Sequence, residues 1–249
     1  MENDAVRYGI LSDVHGNLEA LDATIEALTS DRIDVFVCLG DIVGYGPDPN
    51  ECLERIWSLT SEVIAGNHDH AAVGRLDLAT FNHNAAEAAL WTMQRLTRTG
   101  RHYLSELPLT FRHGEVLAVH AAPSHPERWP YLLSPEQVAS EFRSFPEDTR
   151  VCFVGHTHTP AFFEHTHETG CRRVRLSDRP VRFERRCIVN AGSVGQPRDG
   201  DPRAAYVVYD TDTGEIEIKR VCYDLQTTQK KMRRAGLPEM LAARLGQGR

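Results

Sequence analysis

No run in this 249-residue chain is long and apolar enough to span a bilayer, and no basic-then-apolar leader precedes its first motif. A cytoplasmic protein without membrane attachment is therefore expected. Closely spaced cysteine pairs are absent as well. The six thiols at Cys38, Cys52, Cys152, Cys171, Cys187 and Cys222 include no Cys-x-x-Cys, which points to free structural cysteines rather than a disulfide framework or zinc knuckle. A basic excess is also lacking. The formal net charge of −7 weighs against broad nucleic-acid binding, although bound cations can still turn the local field positive toward a phosphate. There is no internal repeat and no low-complexity linker, so residues 1–249 are expected to form one domain.

What the chain does have is alternation. Residues 8–11, 35–39, 63–65, 116–119 and 151–154 are apolar runs that read as strands. The run at 35–39 is continuous, as in strands buried on both faces. Helices are expected from Asn17, with Leu18, Leu21, Ile25 and Leu28 on one stripe, then to about residue 59, and over about 135–145. A helical insert covers about residues 74–107, with Asn84 as the expected N-cap. Residues 161–189, split by turns at 168–170 and 177–180, read as hairpins, as do 204–210 and 215–221. The order predicts an α/β sheet layered by helices.

Five short segments stand at or beside these strand ends: Asp13-Val-His15, Gly40-Asp41, Gly66-Asn67-His68-Asp69, Val119-His120 and Gly155-His156-Thr-His158. In open α/β sheets, ligands gather beyond the carboxyl ends of strands. Asp13 and His15 share a face if their strand continues through them. Taken singly, Asp13 is an ordinary helix cap, Asn67 a turn residue and His120 a core histidine. Together they form the ligand inventory of a two-metal site.

Read in that order, the motifs resemble the calcineurin-like metallophosphoesterase superfamily. The stretch Asn190-Ala-Gly-Ser193-Val-Gly-Gln-Pro-Arg198 extends the resemblance toward the small bacterial and archaeal (YfcE-like) phosphodiesterase branch. This resemblance implies a four-layer α/β/β/α sandwich of two mixed sheets flanked by helices, with the metal site at the C-terminal ends of strands. It implies one divalent ion on Asp13, His15 and His158, a second on Asn67, His120 and His156, and Asp41 bridging them. Manganese is the first expectation; iron, zinc, nickel and cobalt suit the same ligands. His68 is implied as a non-ligating catalytic residue with Asp69 as its orienting partner. Asn67, His68, Ser193 and Arg198 are implied as substrate contacts.

The implied reaction is hydrolysis of a phosphodiester, or a phosphomonoester, by attack of a metal-bound hydroxide. The partner would be a small phosphoester, with a nucleotide among the candidates. The alternative is a catalytically silent scaffold of the same fold that serves as an interaction module. After Asp41 the chain lacks the Asp-Arg-Gly continuation of Ser/Thr protein phosphatases, so that activity is not expected. His165, His167 and the arginines between 172 and 186 are expected on a solvated hairpin.

Overall fold

The computed structural model describes residues 5–176 and 179–249. Its elements, in order, are β1 (Arg7–Leu11), α1 (Leu18–Ser30), β2 (Val35–Cys38), α2 (Pro49–Leu59), α3 (Asn67–Ala72), α4 (His83–Arg95) and α5 (Arg98–Glu106). Then follow β3 (Thr110–His113), β4 (Val116–Val119), α6 (Pro135–Glu141), β5 (Val151–Val154), β6 (Ala161–Thr166) and β7 (Gly170–Val174). The chain continues with β8 (Val181–Arg182), β9 (Cys187–Asn190), β10 (Ala204–Asp210), β11 (Glu215–Val221), α7 (Leu225–Arg234) and α8 (Glu239–Leu245). Among the described residues no helix is long and apolar enough to cross a membrane.

The strands form two mixed sheets, ordered β2-β1-β10-β11-β8 and β3-β4-β5-β9-β6-β7. Strand β1 runs parallel to β2 and antiparallel to β10, while β5 runs parallel to both β4 and β9. The two-residue period of a strand then builds the layers. Ile10, Val37, Val207 and Tyr209 meet Val116, Ala118, Phe153 and Val189 between the sheets. Their neighbours Leu11, Cys38 and Val208 pack outward with Leu21 and Leu28 of α1 and Leu53 and Ile56 of α2. On the other side Leu117, Val119, Cys152 and Val154 pack with Val138, Phe142 and Phe145. The result is the expected four-layer sandwich. At about 1.5–3 kcal/mol per fully buried large side chain, these three layers of contact hold the strand ends rigidly.

Several local expectations need correction. The insert is two helices, and its first cap is Asn82, whose side chain accepts from the Ala85 N–H; Asn84 lies inside the first turn. Thr97 restarts the chain as α5 by accepting from the Gly100 N–H. Residues 63–65 form no strand, only a bridge between Cys38 and Val63. Strand β2 is an edge strand with half-buried Val35 and Phe36, and both its faces are covered as expected, Val37 between the sheets and Cys38 against the helices. Strand β9 is no hairpin arm but a central strand between β5 and β6, and β8 joins the other sheet. Of the turn expected at 177–180, residues Ser177 and Asp178 lie outside the described residues. All six cysteines are free, and only Cys222 is exposed.

Candidate metal centre

The motif residues converge where β1, β2, β4 and β5 end, but not by strand continuation. Asp13, His15, Asp41, His156 and His158 all adopt left-handed backbone, with φ between 50° and 63°. Each such residue costs on the order of 1 kcal/mol. Asp13 and His15 therefore meet through a tight loop, not through the pleat of an extended strand. Two glycines allow the close approach. A Cβ on Gly66 would lie 2.1 Å from Asp41 Oδ1, and one on Gly155 would lie 2.5 Å from Asp13 Oδ2.

Each carboxylate has one oxygen tied and the other turned inward. Asp13 Oδ2 accepts from Ser12 Oγ (2.6 Å) and the His156 N–H (3.0 Å). Asp41 Oδ1 accepts from the His68 N–H at 2.8 Å. The imidazoles are oriented in the same way. Nδ1 of His15, His120 and His158 lies 3.1, 2.7 and 2.6 Å from the carbonyls of Val43, Leu39 and Gln196. A carbonyl only accepts, so each Nδ1 carries the proton and each Nε2 presents a lone pair inward.

Two clusters result. Asp13, His15, Asp41 and His158 form one, and Asp41, His120 and His156 the other, with ligand atoms in each within 4.8 Å of one another. Asp41 alone belongs to both. Within them Asp41 Oδ2 lies 3.7 Å from His15 Nε2 and 3.3 Å from His120 Nε2. His15 and His158 bring two Nε2 atoms to 3.0 Å. Two lone pairs at that distance repel unless a cation or proton lies between them.

The donor set fits divalent ions on a further observation. Asp13 Oδ1, Asn67 Oδ1, His120 Nε2 and His156 Nε2 are buried without hydrogen-bond partners. Buried polar atoms are nearly always satisfied, so four orphans in and beside the two clusters fit bound cations. The titration of the groups agrees. Burial opposes ionisation of Asp13 and Asp41, yet the histidines around them hold both carboxyls well below the usual range. Burial, reinforced by positive neighbours, brings His156 down to about 4 and His158 to about 3, leaving neutral rings suited to coordination. His120 is the exception. Burial would lower it, but the Asp41 and Asp13 carboxylates push it up to about 9, an attraction that a metal ion would take over.

A cavity of about 150 Å³ opens above the clusters, lined by Asp41, Asn67, His68, His156, His158 and Arg198. Its walls also include Tyr45, Phe81 and Tyr131, three aromatics on three different loops. His68 lies outside both ligand clusters. Its ring packs against Tyr45 and Phe81, with centroids at 4.4 and 4.8 Å, and burial drives its pKa well below the usual imidazole value. Arg198 reaches the cavity with Nη2 donating to Gln196 Oε1 at 2.8 Å, while its Nε is buried without a partner. Its charge also pulls the Tyr45 and Tyr131 phenols back down against the burial that raises them.

Two implied site residues fall elsewhere. Asp69 makes no bond to the His68 ring. Its carboxylate accepts from the N–H groups of Ile42, Val43 and Gly66 at 2.9, 3.2 and 2.9 Å, so it ties the Asp41 loop to the start of α3. Burial and the neighbouring Asp41 push it up to about 7 against those bonds. Ser193 is fully buried, donates to the Asp13 carbonyl and accepts from the Gln196 N–H, each at 2.8 Å. With both partners inside the protein it cannot touch substrate. Tyr45 and Phe81 were missed by the sequence reading; the left-handed φ of 59° at Tyr45, which aims that ring at the site, has no sequence signature.

Two sheets whose ends gather two ligand clusters around one shared carboxylate define the metallophosphoesterase fold. A profile for the calcineurin-like phosphoesterase superfamily domain matches residues 6–214, and the chain belongs to that superfamily. It is 40% identical to a metallophosphoesterase from Sphaerobacter thermophilus, whose crystal structure superposes with a TM-score of 0.87 over 99% of this chain and 100% of that one. An uncharacterized protein of Methanocaldococcus jannaschii is 38% identical over 96% of this chain and 97% of its own length. A hypothetical protein from Pyrococcus horikoshii shares the fold at 21% identity, with a TM-score of 0.79 over 98% and 99% of the two chains.

Proposed function

We propose that this protein is a dinuclear-metal-dependent phosphoesterase that hydrolyses phosphodiester bonds of a small phosphorylated substrate, and phosphomonoesters less well. The observation that carries this reading is the set of four orphaned buried ligand atoms under a cavity that also holds Arg198 and His68. Asp13, His15 and His158 would hold one ion, Asn67, His120 and His156 the other, and Asp41 both. Manganese is the preferred ion. When bound, the ions supply Lewis acidity that neutralises phosphate charge and acidifies water.

The chain's own groups do the rest. Arg198 offers its unpartnered Nε–H to a phosphate oxygen, and the Gln196 carboxamide keeps the guanidinium turned into the cavity. His68 is neutral in the free site. An arriving anion raises its proton affinity, so the ring can carry a proton to the leaving oxygen.

The test is hydrolysis of bis-p-nitrophenyl phosphate against p-nitrophenyl phosphate. Diester turnover should require added Mn²⁺, stop with EDTA and return when Mn²⁺ is restored. Failure with manganese, iron, zinc, nickel and cobalt alike, while the ions bind, would overturn the reading in favour of a silent scaffold.

A further inference from the structure

The cavity over the clusters holds about 150 Å³, well below the roughly 300–1,000 Å³ of sites that enclose a whole organic ligand. It takes a phosphate group and little else, so the rest of an esterified alcohol must leave through the mouth. Two rings frame that mouth. Phe81 leans on His68 with centroids 4.8 Å apart, and Tyr131 lies on His156 with centroids 4.1 Å apart at an interplanar angle of 31°. Tyr131 is 49% exposed. The ring thus packs against a candidate metal ligand at the cavity wall while about half of the residue stays exposed. The exposed residues Thr80 and Asn82 complete the rim with hydrogen-bonding groups.

An aliphatic alcohol makes little use of an exposed aromatic ring. A planar heterocycle stacks on it, and its edges find the Thr80 and Asn82 side chains. Arg198 beneath holds the phosphate end. We propose that the substrates are nucleoside phosphoesters, with the base stacked on Tyr131 and the phosphate inside against Arg198. This deepens the phosphoesterase reading and rests on it for the position of the phosphate.

The cleanest probe compares two ligands that differ only in the base. Adenosine 5′-monophosphate and ribose 5-phosphate should be titrated calorimetrically into the Mn²⁺-loaded protein. The nucleotide should bind roughly 10-fold tighter, the scale of one base–aromatic stack. Tyr131→Ala should bring the ratio of the two dissociation constants close to one, and Tyr131→Phe should keep it. Any general effect of the substitution on the site cancels in that ratio. Equal binding by the unaltered protein, or a ratio that survives in Tyr131→Ala, overturns the proposal. Turnover of bis-p-nitrophenyl phosphate by the same preparation separates the two ideas. Turnover without base preference sinks the nucleoside inference alone, and base preference without turnover, with manganese and with each of the other four ions, sinks the phosphoesterase reading.

Discussion

The two ends of the same sheets follow opposite rules. At the crest, where β1, β2, β4 and β5 finish, five charged or imidazole residues sit in left-handed backbone and seven buried polar atoms lack partners, those of Asp13, Asn67, His68, His120, His156, Gln196 and Arg198. At the base, where β1, β4 and β5 begin, polar groups are just as concentrated. There Tyr8 Oη lies 2.5 Å from His113 Nδ1, the Tyr209 hydroxyl donates to Glu115, and Arg150 donates to the Phe183 carbonyl at 2.8 Å. None of these base residues has positive φ. Among the described residues the base leaves only Arg7 Nε and Thr149 Oγ1 buried without partners, whereas the crest gathers its unpartnered atoms around one cavity. Strain and unmet valence concentrate at the end that carries the candidate site.

That contrast can be attacked from both sides. The largest effect belongs to Asp41, the residue common to both clusters. Asp41→Asn should lose both ions by elemental analysis of the purified protein, and essentially all turnover with them. A variant that keeps two ions would erase the distinction between shared and unshared ligands. Next comes His68→Ala, expected to keep its metal content while turnover falls roughly 10²-fold or more. Gln196→Ala should raise KM roughly 10-fold with little change in kcat, since it loosens Arg198 and leaves the Gln196 carbonyl on His158 in place. Chelation should lower the thermal midpoint by about 5–10 °C relative to protein at 100 times its metal Kd, about 2.7 kcal/mol of lost linkage. The smallest effect lies at the base. Tyr209→Phe should cost about 1–2 kcal/mol in thermal unfolding with unchanged kcat/KM, because only a hydrogen bond to Glu115 is lost.

Much of the crest was legible because ligand chemistry constrains residue type. Asp13, His15, Asp41, Asn67, His120, His156 and His158 stand out in sequence as polar residues abutting apolar runs, and the structure brings them together. The manner of their meeting was not legible. Nothing in Asp13-Val-His15 announces two left-handed residues, and the sheet register that places β9 between β5 and β6 is set by partners far away in sequence. Asp69 and Ser193 show the same limit from the other side. Their residue types suit catalysis or substrate contact, but three backbone N–H groups claim one and a carbonyl and an N–H claim the other. Strand β3 and helices α7 and α8 escaped notice altogether, since short or strongly polar segments take their structure from what they pack against.

The position of β1 has a further consequence for how the molecule comes into being. Its residues pair on one side with β2, nearby in sequence, but on the other with residues 207–210 of β10, about two hundred positions later. Asp13 and His15 hang from the end of that strand, and the Val194 and Gly195 N–H groups bond the carbonyls of Ser12 and Asp13. The Asp13 and His15 N–H groups also bond the Gly40 and Asp41 carbonyls, so this loop has one anchor close by in sequence and a second that comes only after residue 193. Closure over about two hundred residues is slow, so the β1–β10 pairing and the second anchor of the Asp13 loop form among the last contacts of folding.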